Sequence, residues 1–527
     1  MTPRPVTLGL ILLLACAIPL GFGWFTDHAW EDYYITLRSS RNLVEGHGLV
    51  FTPGERLHTY TSPLGVLVPA GCTWLTGPGR EEAALWLFRL LNTLLLAATA
   101  LLVWRRFDTL RIGSLGRWLF FGLMLADAKL IDFSINGMET AMLVFFTVLL
   151  WSELERPGPP RPVFLACATA GLMWSRPDAF IIAGCLLLPH LVFRRRADGA
   201  ARLPWRELIR GLGLGALLYL PWFAWAWWYY GTPVPHTIIA KSILTPPVRL
   251  ADLLALPWGT LMGTTILGDL FLPAYHWYEG DWPGWLKQLA HVVSVAVVFG
   301  WLVPWLPGMV RRLSLTLFGG MFYLCVIIFF PWYAPPWTLL AALALAGAVD
   351  QAAERARTAG SRWLPPLLRT GVTLAVCLQV LILGAVSWEM RIQQRVIENG
   401  VRRDIGLWLR RNAAPGDTVF LECLGYIGYY SQLKTYDFPG LSSPEVVDAL
   451  RHGARRYLHI IERVQPTWLV LRPAEIADPT RPENAFLRNY ELARKWNVRP
   501  QLDAVGLLPG RAWLEHDAEF LVLRRKR

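Results

Sequence analysis

Charged residues are scarce in this sequence. They make up 17% of its 527 residues, whereas hydrophobic residues make up 54%. Soluble globular domains carry about 25% charged residues. Together with a mean hydropathy of +0.35, this composition excludes a soluble globular enzyme of ordinary type. Lipid is therefore expected to surround much of the chain.

Cysteine is also sparse, and its seven copies show neither a disulfide framework nor metal-ligand spacing. Nucleotide motifs are missing as well. Gly425 and Gly428 are too closely spaced for a nucleotide fingerprint, and no Walker-type lysine motif follows them. These absences argue against nucleotide binding and against a metal site built on cysteine.

The formal net charge of +12 does not indicate a nucleic-acid partner. The arginines fall mainly at the ends of apolar runs and across the polar last third of the chain. Membrane topology and contact with anionic lipid account for that placement. Membrane lipid is therefore an expected partner, and nucleic acid is not.

The apolar residues are concentrated in runs of about 15 to 24, broken by arginine-rich or Pro/Gly-rich connections. This pattern predicts a polytopic α-helical membrane domain over residues 1–388, with about eleven transmembrane helices. Residues 389–527 carry frequent charges and no long apolar run, which predicts a soluble domain. The predicted spans cover residues 7–24, 84–104, 117–135, 138–152, 161–175, 178–193, 208–230, 285–305, 313–331, 334–349 and 366–388.

Basic residues assign the orientation, because short cytoplasmic loops are enriched in Lys and Arg. With a cytoplasmic N-terminus, every basic cluster falls on the cytoplasmic side. The external side of the membrane then receives loops 25–83 and 231–284 and the C-terminal domain. Segments 63–76 and 252–272 are apolar but contain Pro, Gly or Asp269, and we interpret both as interfacial or re-entrant. The clusters are Arg105, Arg106, Arg111 and Arg117; Arg156 and Arg161; Arg194, Arg195, Arg196 and Arg206; Arg311 and Arg312; Arg355, Arg357 and Arg362.

Two adjacent carboxylates, Glu31 and Asp32, follow the first predicted span closely. A carboxylate at this position can act as base on an acceptor hydroxyl or help to hold a divalent cation. An acidic pair is also compatible with a solvated loop. Two acids without further ligands are a weak metal signal, so no cofactor is assigned.

Other ionisable residues stand at the external ends of predicted helices. Such charges are costly and usually mark a functional cavity. Arg176, His236 and Lys241 form a cationic set suited to bind a phosphate group. Structural alternatives are a hairpin clamp of Arg176 with Asp178 and a helix cap at Glu139. Lys241 is also compatible with an interfacial snorkel.

Several of these residues belong to sequence fragments that match the pattern of a known family and follow the same order along the chain. The fragments are Glu31-Asp32-Tyr33, residues 41–51, 53–56 and 60–64, Asn136-Gly137-Met138-Glu139-Thr140, Ser175-Arg176-Pro177-Asp178, Tyr229-Tyr230-Gly231 with Pro235-His236-Thr237 and Lys241, and Pro331-Trp332-Tyr333-Ala334-Pro335. They resemble polyprenyl-phosphate-dependent C-type (GT-C) glycosyltransferases, most of all envelope arabinofuranosyltransferases that add terminal β-(1→2)-linked residues. The likeness covers most of the chain. It is strong for the fold and the lipid-linked donor and weak for the sugar.

This resemblance implies transfer of arabinofuranose from a polyprenyl-phosphate donor to an envelope glycan or glycoconjugate, with inversion. The family often has two aspartates where this chain has Glu31 and Asp32. Acids in this loop are taken as catalytic in the family, so Asp32 is the expected base and Glu31 the second candidate. The expected donor-phosphate residues are Arg56, Arg176, His236 and Lys241, and the expected substrate-binding residues are His58, Tyr60, Glu139, Asp178 and Tyr333.

The C-terminal domain is expected to be α/β. A helix near Val401–Arg411, strands at Thr418–Glu422 and Lys434–Phe438, and turns at Gly425 and Gly428 indicate this class. The domain resembles the external domain attached to members of the same family. Acceptor recognition is its implied role, and a lid or scaffold is the alternative.

Two other functions stay open at this point. One is the same chemistry with mannose, another hexose or an aminosugar. The other is a transporter or flippase of lipid-linked saccharide. The candidate residues gather on one face and no internal repeat is evident, whereas alternating access favours midplane sites between repeats. The pattern therefore favours a transferase.

Overall fold

The computed structural model describes residues 5–193, 204–265, 270–273, 282–325, 330–476 and 482–526. Within these ranges, each predicted apolar segment contains a helix. Arg194–Arg196 and Asp269, which entered the topology prediction, lie outside the described residues. The helices of the membrane domain are Pro5–Thr26, Glu31–Val44, Pro63–Thr76, Glu81–Leu110, Ser114–Ala126, Ala128–Ile135, Thr140–Leu154, Pro162–Ser175, Phe180–Val192, Trp205–Tyr230, His236–Leu244, Leu250–Leu261, Gly284–Val298, Gly308–Cys325, Ala334–Thr358 and Leu364–Ile392.

Five described helices are long and apolar enough to cross a membrane, by length and composition. A sixth span results if the helices Ala128–Ile135 and Thr140–Leu154, which are bent by 117°, count as one. Pro63–Thr76 and Leu250–Leu261 are among the shorter apolar helices. The helical membrane domain is therefore confirmed, whereas the number of eleven spans is not. The five helices are Val6–Thr26, Glu81–Leu110, Trp205–Tyr230, Pro331–Thr358 and Leu364–Asn412.

The predicted span 117–135 is wrong in one respect, because it consists of two helices. The first ends before Asp127, and the second begins at Ala128. The Asp127 carboxylate accepts a hydrogen bond from the backbone N–H of Leu130 at 2.7 Å and caps the second helix. Aspartate is a favoured N-cap. An apolar run that is long enough to cross a membrane can therefore be divided into two helices by a single N-cap residue.

The Thr140–Leu154 helix shows which residues lie at opposite ends of the bundle. It has 15 residues, which is about 22 Å at 1.5 Å per residue. Glu139 precedes this helix and Glu155 follows it. Glu155 accepts a hydrogen bond from Nε of Arg312 at 2.7 Å. The predicted cytoplasmic cluster around Arg312 therefore lies at the end of the helix opposite Glu139.

The C-terminal domain is built on a five-stranded mixed sheet, which confirms the α/β prediction. Its strands are β1 (Thr418–Leu421), β2 (Lys434–Asp437), β3 (Trp468–Leu471), β4 (Tyr490–Asn497) and β5 (Glu519–Arg525). The order is β2-β1-β3-β5-β4. β1 is parallel to β2 and β3, and β5 is antiparallel to β3 and β4. Helices Leu424–Ser431, Pro444–Arg451, Tyr457–Val464, Arg499–Asp503 and Arg511–His516 complete the domain.

Both faces of the central strands are buried. Val419 and Trp468 pack in one hydrophobic cluster, while their chain neighbours Phe420 and Leu469 pack in another. Successive side chains of a strand point to opposite faces. The sheet is thus covered on both sides, as the continuous apolar runs of β1 and β3 require.

The two domains are joined by helix without an interruption. Leu364–Ile392 continues through a π-helical stretch, Gln393–Arg403, into Asp404–Asn412. The predicted boundary at residue 389 falls inside this continuous helix. The prediction of turns at Gly425 and Gly428 is wrong, because both glycines lie within the helix Leu424–Ser431.

Candidate active site

A cavity of about 70 Å³, lined by both polar and apolar groups, lies where loop 25–83, two helix junctions and the C-terminal domain meet. It contains six of the residues predicted as site residues. Separate stretches of the chain contribute its wall, so only the fold brings them together. The lining residues are Asp32, Ile35, Thr36, Thr59, Tyr60, Thr61, Ser62, Gly65, Gly137, Met138, Glu139, Arg176, Thr237, Lys241, Trp332, Tyr333 and Leu441.

Asp32 stands in the first turn of the Glu31–Val44 helix. Acids are favoured there because the helix dipole is positive at its N-terminus. Among the described residues, the Asp32 carboxylate has no hydrogen-bond partner. Burial raises the pKa of this carboxyl above its ordinary value, and the nearby Lys241 ammonium acts in the opposite direction. The result is a carboxylate that faces the cavity with increased basicity.

Arg176 is fixed by several partners at the junction after the Pro162–Ser175 helix. Its guanidinium pairs with Glu139 through Nη1 at 3.1 Å and with Asp178 through Nε at 3.1 Å. It also donates a hydrogen bond to the Tyr333 hydroxyl at 2.9 Å. Asp178 additionally accepts a hydrogen bond from the hydroxyl of Tyr323 at 2.6 Å. The hairpin clamp and a place in the cavity wall, which were alternatives for Arg176, are therefore both present.

Lys241 enters the cavity from the His236–Leu244 helix. Its ammonium lies 4.6 Å from the centre of the Phe330 ring, a cation–π contact. Burial lowers the pKa of Lys241, and the Asp32 carboxylate acts in the opposite direction. Lys241 and Asp32 thus face the same space and influence each other electrostatically.

Gly137 explains how the backbone beside Glu139 approaches the Glu31–Val44 helix. Its φ is +108°, a conformation that glycine adopts readily. A Cβ at this position would lie 2.3 Å from Cβ of Tyr33. Glycine is therefore required for the close contact between this turn and the Glu31–Val44 helix.

Three predicted residues lie near the cavity but do not line it. His58 stacks on the Tyr230 ring with centroids 4.6 Å apart, and burial lowers its pKa to about 3, so it is neutral. The Arg56 guanidinium lies 5.1 Å from the centre of the Tyr229 ring. His236 donates its backbone N–H to the carbonyl of His58 at 2.8 Å. All three support the loop that carries Tyr60.

Glu31 also lies away from the cavity and faces the C-terminal domain. Its carboxylate accepts a hydrogen bond from the backbone N–H of Gly425 at 3.1 Å and pairs with Arg402 at 3.3 Å. Burial raises the pKa of Glu31 to about 8, although Arg402 opposes this shift. The structure therefore separates the two adjacent acids that the sequence places together.

Sequence reasoning did not identify Leu441, which the C-terminal domain contributes to the cavity wall. The loop that carries it is ordered by Asp437, a fully buried acid. The Asp437 carboxylate accepts hydrogen bonds from the backbone N–H groups of Gly440, Leu441 and Ser442 at 3.2, 2.6 and 2.8 Å. The one sequence signal for this loop is the acid Asp437 at the end of a strand. Nothing in the sequence indicates that the loop lies near Asp32.

The described residues include no group of three or more His, Cys, Asp or Glu placed to hold a metal ion. Glu139, which lines the cavity with Asp32, is paired with Arg176.

Part of this chain is similar in sequence to two bacterial arabinofuranosyltransferases. A terminal β-(1→2)-arabinofuranosyltransferase of Mycobacterium tuberculosis is 30% identical over 245 residues, which cover 44% of this chain and 38% of that relative. The protein of the same name from Corynebacterium glutamicum is 28% identical over 264 residues, covering 45% and 36%. The matches thus span less than two-fifths of these relatives. Residues 389–518 match a domain of unknown function, DUF8728.

Comparison with solved structures shows the fold. ArnT from Cupriavidus metallidurans, bound to undecaprenyl phosphate, has a TM-score of 0.54 at 12% identity, covering 99% of this chain and 98% of ArnT. The archaeal oligosaccharyltransferase AglB from Archaeoglobus fulgidus, in complex with an inhibitory peptide and a dolichol-phosphate, has a TM-score of 0.56 at 11% identity, covering 88% and 69%. The resemblance predicted from the motifs is confirmed by the two relatives, and the chain shares the fold of ArnT and AglB.

Proposed function

We propose that this protein is a glycosyltransferase that moves arabinofuranose from a polyprenyl-phosphate donor to an envelope glycan or glycoconjugate. The observation that carries the proposal is the cavity in which Asp32 lies with Lys241 and Arg176. A carboxylate of raised pKa is suited to take a proton from a hydroxyl. Cationic side chains in the same space are suited to a departing phosphate.

The proposed reaction is a single displacement. The acceptor hydroxyl oxygen forms a bond to the anomeric carbon while the bond from that carbon to the phosphate oxygen breaks. Asp32 takes the hydroxyl proton, and the bonding electron pair leaves with the polyprenyl phosphate. Lys241 and Arg176 stabilise the charge that develops on this phosphate. The configuration at the anomeric carbon is inverted.

The lipid carrier and the sugar are supported by different comparisons. ArnT and AglB share this fold and hold undecaprenyl phosphate and a dolichol-phosphate in their structures. This supports a polyprenyl-phosphate donor. The sugar is proposed from the names of the two bacterial relatives.

We place the reaction on the outer face of the bacterial inner membrane, on the side of the two long loops. Asp32, Lys241 and Leu441 support this placement because they come from those loops and from the C-terminal domain. Leu441 also supports an acceptor-side role for that domain, since it places the domain in the wall of the cavity.

The test is transfer of labelled arabinofuranose from its polyprenyl-phosphate ester to an oligosaccharide acceptor by purified full-length protein in nanodiscs. The wild type is expected to form an inverted product. Asp32→Asn keeps the shape of the side chain but cannot take the proton, and we expect turnover to fall about a thousandfold, within the range for general-base catalysis.

Each alternative has a distinct result. Transfer from a prenyl-phosphate hexose or aminosugar, but not from the arabinofuranose ester, would replace the sugar and keep the reaction. Retention of configuration, or full activity of a folded Asp32→Asn protein, would refute the mechanism. Movement of intact lipid-linked saccharide across the bilayer without transfer would indicate a flippase.

A further inference from the structure

Glu31 and Asp32 are adjacent in one helical turn but face different parts of the protein. Asp32 lines the cavity. The Glu31 carboxylate instead uses both oxygens on the C-terminal domain, one for the Gly425 N–H and the other for Arg402. With 3.6 residues per turn, successive side chains of a helix diverge by about 100°. A fixed direction for Glu31 therefore fixes the direction of Asp32.

The partner of Glu31 is itself firmly held. Arg402 is 6% exposed and donates to Glu398 at 2.8 Å. It also donates a hydrogen bond to Asp517, which follows the helix Arg511–His516. Charge-assisted contacts of this kind are stronger and more directional than neutral ones. Arg402 is thus an anchor that belongs to the core of the C-terminal domain.

Two glycines allow the close approach of this domain. A Cβ at Gly425 would lie 2.0 Å from the backbone oxygen of Glu31, so only glycine fits without movement. One helical turn later, the carbonyl of Gly428 accepts a hydrogen bond from Arg38 at 2.8 Å. Arg38 is 1% exposed and its guanidinium lies 4.2 Å from the centre of the Phe51 ring. The helix Leu424–Ser431 therefore packs against the Glu31–Val44 helix, and hydrogen bonds hold the two together over two turns of the latter.

We propose that Glu31 is a positioning residue, which clamps the first turn of the Glu31–Val44 helix onto the C-terminal domain and thereby aims Asp32 into the cavity. This inference rests on the proposed role of Asp32 as the base. It gives the domain of unknown function a defined task at the site of reaction. It also explains the pair Gly425 and Gly428, which is unrelated to nucleotide binding.

The experiment compares four variants of the full-length protein in nanodiscs with the wild type. Glu31→Ala removes the clamp, and Glu31→Gln keeps an acceptor for the Gly425 N–H but replaces the carboxyl group that faces Arg402. Gly425→Ala forces the two helices apart without touching the cavity. Gly506→Ala is the matched control, because a Cβ there has open space. Hydrogen exchange of amides 33–38, turnover, donor KM and the pH profile of turnover are measured.

For Glu31→Ala and Gly425→Ala we expect faster exchange in amides 33–38 and a fall in turnover of about a hundredfold, the cost of misplacing a reacting group by ~1 Å. Donor KM and the shape of the pH profile should be unchanged. Glu31→Gln should retain most of the turnover because its amide oxygen still accepts from Gly425. Gly506→Ala should match the wild type.

The inference would be overturned by Glu31→Gln losing as much turnover as Asp32→Asn with unchanged exchange, since Glu31 would then act chemically. Normal turnover of Gly425→Ala despite faster exchange would overturn it equally. A wild type without transferase activity would instead refute the proposed function, while the exchange data would still decide whether the clamp exists.

Discussion

Two buried ionic regions at opposite ends of the Thr140–Leu154 helix differ in how their charges are paired. At the arginine-rich end, Glu155 is paired with Arg312 at 2.7 Å and Glu153 is hydrogen-bonded to Nε of Arg161 at 3.2 Å. At the cavity end, the Asp32 carboxylate has no hydrogen-bond partner among the described residues. Both regions contain acidic and basic side chains, so the presence of opposite charges does not distinguish them.

The difference teaches how to separate structural charges from functional ones in a membrane protein. A buried charge is tolerated when a partner and hydrogen bonds compensate for lost hydration. The pair of Glu155 and Arg312 meets this condition within the fold. Asp32 and Lys241 are left facing a cavity, where a substrate can complete their interactions. Changes at the two ends should therefore affect different measured quantities.

The largest effect on stability is expected at the arginine-rich end. Glu155→Gln removes the carboxylate that pairs with the buried Arg312, and breaking such a pair costs about 3–5 kcal/mol of unfolding free energy. Turnover per folded molecule should stay at the wild-type level. Thermal unfolding in detergent, followed by a transfer assay on the folded fraction, measures both quantities.

Glu354→Gln is the matched control, because its pair with Arg357 is exposed and such pairs contribute little. It should unfold like the wild type. Loss of turnover in folded Glu155→Gln protein, or equal destabilisation by both variants, would contradict the contrast between the two ends.

The next effect concerns the geometry of the cavity end. Arg176→Lys keeps the charge but cannot bridge Glu139, Asp178 and Tyr333 with a planar fork. We expect turnover to fall about a hundredfold, comparable to the loss of one preorganised donor. Tyr333→Phe removes the hydroxyl that accepts a hydrogen bond from Arg176 but keeps the guanidinium, and it should cost less. A Lys variant with wild-type turnover would show that charge alone suffices at position 176.

Much of the fold could be predicted from the sequence, because apolar length is a strong signal for membrane helices. The interruption at Asp127 could not, since a capping aspartate looks like any polar residue in a run. The glycines at 425 and 428 were assigned to turns for a similar reason. A glycine needed for helix contact and a glycine needed for a turn have the same sequence signal, and only the partner surface separates them.

The candidate site shows the same limit. Asp32 and Lys241 could be placed at the external ends of helices from charge and hydropathy, and the structure brings them together. The direction of Glu31 could not be predicted, because it is set by Arg402 in another domain. The place of Leu441 in the cavity wall could not be predicted either, because it depends on how the C-terminal domain packs against the rest of the protein. Local patterns identify candidate residues, but tertiary contacts decide which face the cavity.

The last prediction tests whether Asp32 and Lys241 act on each other across the cavity. Asp32 must be ionised to take a proton, so turnover should fall as the pH drops through its pKa. Burial and Glu139 raise this pKa, whereas Lys241 and Arg176 lower it. Lys241→Met should therefore move the acidic limb of the pH profile to higher pH, while Lys241→Arg should leave the limb in place. A limb that stays unchanged in the Met variant, or moves to lower pH, would show that Lys241 does not act on the base.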